Sequence, residues 1–162
     1  MPLPTPAQRQ HIHTRKIDFA GYERDDGMFD IEAHLTDTKS YAFSNNWRGN
    51  IEPGVPIHGM WLRVTIDDKF VVQDVEASTD HSPFAMCPDI TPAYKALKGL
   101  TMGPGWRQAV RQKVGGIQGC THLTELLFPM ATVAIQTIRP LQNHRRKLAD
   151  SDSRRSAGKP FV

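Results

Sequence analysis

In Met28-Phe29-Asp30-Ile31-Glu32-Ala33-His34-Leu35-Thr36, apolar and polar side chains alternate from Phe29 on. Successive residues of a strand point to opposite faces, so Phe29, Ile31, Ala33 and Leu35 share one face. Asp30, Glu32 and His34 share the other. A strand of this kind belongs to an antiparallel sheet covered on one side and wet on the other. Just upstream, Arg24-Asp25-Asp26-Gly27 is a turn, with Asp-Gly supplying the positive-φ position of a tight hairpin. The stretch from His11 to Glu23 reads as the partner strand. Downstream, Met60 to Asp67 and Phe70 to Ala77 are two more strands joined by the turn Asp67-Asp68-Lys69.

Between and after these strands lie two irregular segments. Residues 37–56 form a long polar loop, a type of segment that is disproportionately functional. Ser78 to Pro88 forms the second and carries Asp80, His81 and Cys87. The remainder is helical. Thr91-Pro92 reads as an N-cap followed by proline at the first helical position, with Gly99 as the stop. Pro104 opens a second helix through Trp106 and Val110, which Gly115-Gly116 ends. A third runs from Thr121 to Ile138, with Leu123, Leu127, Met130, Ala134 and Ile138 as its apolar stripe and a kink at Pro129. Strands first and helices after make an α+β fold: an antiparallel sheet with three helices packed on one face.

A chain of 162 residues is long enough for one domain with a real core. Its 39% apolar and 23% charged residues describe an ordinary globular protein. The expected division is one globular domain over residues 1–142 and a basic tail over 143–162, with disorder from Arg139-Pro140 onward. That tail holds six Lys/Arg and two Asp, a net of +4, whereas the other 142 residues carry 14 Lys/Arg against 15 Asp/Glu, a net of −1. The basic balance therefore belongs to the tail, and no basic face for nucleic acid is expected. No apolar run approaches the ~18 residues of a membrane span. The start, Met1-Pro-Leu-Pro-Thr-Pro, lacks the features of a signal peptide. With two cysteines, the expectation is a reducing cytoplasm in which thiols act as ligands or nucleophiles.

Chemistry gathers around Gly115-Gly116-Ile117-Gln118-Gly119-Cys120-Thr121-His122-Leu123-Thr124-Glu125. The glycines break what precedes them, so Cys120 and Thr121 open a helix. A thiol there faces unpaired N–H groups and the positive end of the helix dipole, which favour thiolate. His122 lies in the same turn and Glu125 one turn on. In the expected layout, His58 in Gly54-Val-Pro-Ile-His58-Gly59, the Asp80–Cys87 segment and the row Asp30/Glu32/His34 converge on the same end of the sheet. Zinc wants a tetrahedron of nitrogen, sulfur or oxygen ligands, and His58, Cys87 (or Asp80), Cys120 and His122 would supply them. The bland alternatives are a small buried Cys120, a surface His122 and a solvated face for the row on the second strand.

The span from Gly54 to Ile138 resembles the NifU/IscU/SufU-type iron–sulfur scaffold proteins, and the fold is accordingly expected to be SufE/NifU-like. The matching pieces are the Gly54-Val-Pro-Ile-His58-Gly59 loop, with His58 where the scaffolds carry a first Cys, the two-stranded hairpin, and Cys120 opening the last helix. His58 for Cys and the late position of Cys87 depart from that pattern and suit zinc better than a cluster of thiolates. The whole chain, through Arg24-Asp-Asp-Gly-Met-Phe-Asp-Ile-Glu-Ala and Gly119-Cys-Thr-His-Leu-Thr-Glu-Leu, more closely resembles a bacterial family catalogued as a domain of unknown function. That resemblance implies a hydrolase, an aromatic acyl-CoA thioesterase of a catabolic pathway. Cys120 would be the nucleophile with His122 or His58 as base. Alternatively Asp80, Glu32, Glu125 or a metal would activate water. Arg and Lys residues, those of the tail included, would pair with the phosphates of CoA. The competing readings are a non-catalytic zinc- or iron–sulfur-handling scaffold and a plain binding module in which Trp47, Trp61 and Trp106 are structural.

Overall fold

The structure, a computed structural model, describes residues 3–157, the side chains of 152 and 154–157 excepted. Six strands form: β1 (His13–Glu23), β2 (Phe29–Lys39), β3 (Phe43–Asn45), β4 (Gly49–Ile51), β5 (His58–Ile66) and β6 (Val72–His81). A run of 3-10 turns, Cys87–Leu97, and the helices α1 (Trp106–Val114) and α2 (Thr121–Ala157) follow, with a 3-10 turn at Gly116–Gln118 between the last two. Strands β1, β2, β5 and β6 make one antiparallel sheet in the order β1-β2-β5-β6, and β3 pairs with β4 in a separate hairpin. The fold is α+β, a sheet of N-terminal strands followed by three helical segments. No helix among the described residues is long and apolar enough to cross a membrane.

The alternation of β2 fixes which face is inward. Phe29, Ile31, Ala33 and Leu35 are all buried, and they meet Leu62, Val64 and Ile66 of β5 beneath the helices. Tyr94 and Leu97 from the 3-10 run, Trp106, Val110 and Val114 of α1, and Leu123, Leu126, Leu127, Met130, Ala134 and Ile138 of α2 close the core from the other side. At the crossing of α2 over β1, a Cβ on Gly21 would overlap the Thr137 hydroxyl, so only glycine admits the helix there. Trp106 is buried and its indole N–H donates to the Leu127 carbonyl at 2.8 Å, tying α1 to α2.

Several boundaries differ from the sequence expectation. β2 does not end at Thr36 but continues to Lys39, and part of the expected 37–56 loop is the β3–β4 hairpin. β6 runs on to His81 through a break in register near Asp80. Thr91 caps no helix: the turns begin at Cys87, and the Thr91 hydroxyl donates back to the Pro88 carbonyl. α2 passes Pro129 and Pro140 and reaches Ala157, so residues 139–157 are helical rather than disordered. Leu141, Gln142, Arg145, Arg146, Lys147, Leu148 and Ala149 are good helix formers. Gln142 also donates to the Asp68 carbonyl, and Arg145 makes a paired contact with Glu23. Residues 158–162 of the expected tail lie outside the described residues.

Candidate functional site at one end of the sheet

The apolar row of β2 does not end in another apolar residue. The next inward position after Leu35 is Asp37, a carboxylate 1% exposed. Neighbouring strands place its partners by register: Arg15 of β1 stands opposite it on one side and His58 of β5 on the other. Oδ1 accepts from Arg15 Nε at 2.8 Å and from His13 Nε2 at 3.1 Å. Oδ2 accepts from Arg15 Nη2 at 2.8 Å and from His58 Nδ1 at 2.9 Å. Burial on its own would raise the Asp37 pKa, but the Arg15 guanidinium and the His58 bond outweigh it, and the carboxyl sits below its usual range.

The start of α2 lies over this group. The His58 and His122 rings are 4.0 Å apart between centroids and tilted by 37°. His122 Nδ1 is 3.8 Å from Cys120 Sγ. Burial is the largest influence on both imidazoles and pushes both pKa values below the ordinary histidine value; Asp37 opposes this at His58, and Arg15 reinforces it at each ring. Both rings are thus neutral at pH 7, with His58 Nδ1–H committed to Asp37. Glu125, exposed and one turn after His122, has an oxygen 3.9 Å from Arg15 Nη1 at the rim.

Tyr94 fixes the helix start. Its hydroxyl accepts the Cys120 N–H at 3.0 Å and lies 2.9 Å from both the Cys120 carbonyl and Thr124 Oγ1. Thr124 in turn donates to the Val114 carbonyl at 2.9 Å. Burial pushes the Tyr94 pKa up to about 12, so the phenol stays protonated. The Cys120 carbonyl accepts the first intrahelical bond, from the Thr124 N–H, which makes Cys120 the N-cap residue of α2.

Of the residues singled out from sequence, His58, Cys120, His122 and Glu125 come together here. Three do not. Glu32 is on the outer face of β2, where it accepts from Arg63 at 2.7 Å; beside it Asp30 accepts from Thr65, and His34 stacks on Trp61 with centroids 3.6 Å apart. The period of two that buries Asp37 sends this row the other way. Asp80 stays outside as well, because β6 continues past Ala77; its Oδ2 accepts the Trp61 indole N–H at 2.8 Å. Cys87 opens the 3-10 run and stands apart from the Asp37, His58 and His122 group. The basic part of α2 lies at the far end of the sheet, where Arg145 meets Glu23, about 35 Å from His122 at 1.5 Å per helical residue. It is not placed to meet a ligand at Cys120. Asp37, Arg15, His13 and Tyr94 were missed by sequence reasoning. Extending the alternation of β2 by one more step would have found Asp37.

Ligand atoms of Asp37, His58 and His122 lie within 4.8 Å of one another. Yet four donors already occupy the roughly four acceptor positions of the Asp37 carboxylate. An ion reaching Asp37 would displace Arg15 and then feel its positive charge. Cys120 is the only thiol in the group among the described residues, so an iron–sulfur cluster held by several thiolates does not fit. Of the donors that suit zinc, His58 and His122 lie close together and Cys120 Sγ stands beside His122, but the trio whose ligand atoms converge among the described residues is Asp37, His58 and His122, with Asp37 already orienting the His58 ring.

Residues 13–136 match the family described as "Protein of unknown function (DUF2889)", more than half of the chain. The chain belongs to that family. Every residue of the Asp37 group falls within the matched span. No curated protein and no solved structure matches the chain.

Proposed function

We propose that this DUF2889 protein is a hydrolase that cleaves acyl thioesters, with an aromatic acyl-CoA as the substrate class its family resemblance implies. The observation that carries the reading is the buried Asp37–His58 pair beside His122 and the start of α2. A carboxylate that binds the Nδ1–H of a neutral histidine holds the ring in one tautomer and leaves Nε2 as the base. Nε2 of His58 takes a proton from water as the oxygen attacks the thioester carbonyl. The carbon–sulfur bond then breaks, and the proton passes to the departing thiolate, giving a carboxylic acid and free thiol.

Charge on the carbonyl oxygen is stabilised by N–H groups. Those of Thr121, His122 and Leu123 at the positive end of α2 have no hydrogen-bond partner among the described residues. Open space near the site suits a nucleotide-bearing substrate: a cleft of about 550 Å³ lined by Arg9, Gln10, His11, Ile12 and His13 adjoins Asp37 through His13. Arg9 lines this cleft and Lys39 stands opposite His13 on β2, so these two can meet the phosphates in place of the tail. Exposed Trp47, Phe84 and Met86, on loops at the same end, offer apolar surface to an acyl group.

The test is a panel of acyl-CoA thioesters read by release of free CoA, with the parent protein, His58→Ala and Asp37→Asn. Release by the parent that falls roughly 10²–10⁴-fold in His58→Ala supports the reading. No release across the panel, or a His58→Ala variant as active as the parent, overturns it. Elemental analysis of the same preparations addresses the zinc alternative: one zinc per chain, lost in Cys120→Ala, would make His58, His122 and Cys120 a metal centre instead.

A further inference from the structure

The two edges of the sheet are treated differently. The β6 edge is covered at its start: Val72 N–H donates to the Leu100 carbonyl, Gly99 N–H to the Val72 carbonyl and Met102 N–H to the Phe70 carbonyl. The β1 edge is bare, with no strand beyond it in the sheet order among the described residues. It is eleven residues long, contains no proline, and pairs with β2 in unbroken register from His13 to Glu23. Long, regular, uncovered edges are templates for another strand, and proteins usually shorten, bulge or charge them.

Backbone direction along β1 follows from its ends. Ser40 N–H donates to the Ile12 carbonyl, and Arg24 N–H donates to the Met28 carbonyl, each residue lying directly opposite its partner. In an antiparallel pair such bonded positions alternate. The even-numbered residues of β1 therefore bond to β2, and Arg15, Ile17, Phe19 and Gly21 turn their N–H and C=O groups to the open edge. The His11 ring occupies the His13 carbonyl at one extremity, which leaves Arg15 to Phe19 free.

We infer that this edge pairs with the β1 edge of a second copy, antiparallel, about a two-fold axis at Ile17. That register sets Ile17 opposite its own copy as a bonded pair and Arg15 opposite Phe19 on each side, giving three bonded pairs of backbone groups. Side charges select it. Lys16 and Asp18, 68% and 57% exposed, are paired only with each other among the described residues. Centred on Ile17, each Lys16 faces the other copy's Asp18. Centring on Lys16 or Asp18 would instead set like charges opposite each other, which is unfavourable. Ile17, an inward-facing residue left 38% exposed because β1 has no outer neighbour, would be covered by its copy. The dimer would also brace the strand that carries His13 and Arg15 to Asp37.

The experiment is sedimentation equilibrium of the full chain at micromolar concentration, with amide hydrogen exchange. The expected mass is twice the 18.2 kDa of one chain, with the Ile17 amide protected although it has no partner within its own chain. Lys16→Asp, whose folding is checked by thermal unfolding, should weaken the dimer roughly tenfold. The exchange Lys16→Asp with Asp18→Lys should restore it. A monomeric parent, a dimer indifferent to Lys16→Asp, or a charge exchange that fails to rescue would each overturn the inference.

Discussion

The two faces of β2 carry acidic and imidazole groups a few residues apart, and they are put to opposite uses. On the outer face, Asp30, Glu32 and His34 are each paired with a neighbour across the strand: Thr65, Arg63 and Trp61. The Arg63 and Trp61 contacts are open enough for water to replace them, whereas the Asp30–Thr65 bond is mostly covered but carries no buried ion pair. On the inner face a single carboxylate, Asp37, ends an apolar row and is held by three side chains out of reach of water. Residue type is therefore a poor guide to function on this strand. What separates the two sets is desolvation: a buried carboxylate without partners is costly, so the fold supplies partners and in doing so orders His58.

The sharpest way to break the contrast is Asp37→Asn. The amide leaves Arg15 without its counter-charge and no longer favours the Nδ1–H tautomer of His58. Turnover should fall on the order of 10³–10⁴-fold, as expected for loss of a carboxylate that orients a base. Unfolding free energy should fall by about 2 kcal/mol, below the usual cost of breaking a buried pair because Arg15 is one-third exposed. Thioester turnover and urea denaturation measure the two effects.

Acidity separates the faces next. The His58 pKa lies below 6.5 in the folded protein, so the folded state resists a proton that the unfolded chain accepts. The stability contributed by the neutral ring is fully present above pH 6.5 and falls as pH drops from there through the folded value. Asp37 adds a second loss at lower pH, because its folded pKa is also depressed: its contribution is present above the unfolded value and disappears as pH falls through the folded one. The acid limb of kcat/KM should accordingly lie below pH 6.5, and a limb above 6.5 would show that His58 is not the base.

Smaller effects sharpen the assignment of roles. Tyr94→Phe removes the hydroxyl that holds both backbone groups of Cys120, and should cost about 1–2 kcal/mol in thermal unfolding. Cys120→Ala tests the chemistry itself: with water as nucleophile, turnover stays within roughly tenfold of the parent, whereas a thiol nucleophile would lose about 10³-fold or more. At the bottom of the scale, Glu32→Gln on the outer face should leave turnover unchanged and shift stability by about 0.5 kcal/mol or less, since the Arg63 pair is exposed.

Much of the scaffold was legible from local pattern. The alternation Phe29 to Leu35, the Asp26-Gly27 turn and the glycine-bounded start of α2 each depend on neighbouring residues, and each is where the reading placed it. Gly27, at φ +81°, takes the left-handed conformation that the turn requires. The site was legible only where it touched these landmarks, at His58, Cys120, His122 and Glu125. Asp37 was lost because a polar residue after Thr36 resembles a loop, although its position in the period of two marks it as inward. Arg15, His13 and Tyr94 are joined to the site by cross-strand register or by contacts 26 residues apart, which no local pattern records. Glu32, Asp80 and Cys87 were drawn in by residue type alone, and their strand faces and the turn at Cys87 took them elsewhere.

The fully occupied carboxylate of Asp37 has a dynamic consequence. With all the lone pairs of Asp37 engaged, the His58 ring cannot flip without breaking its buried hydrogen bond to that carboxylate, so its free nitrogen keeps one direction in the resting protein. The entropy of aiming the base is settled during folding, and an arriving ligand meets a site that has nothing left to rearrange at that atom.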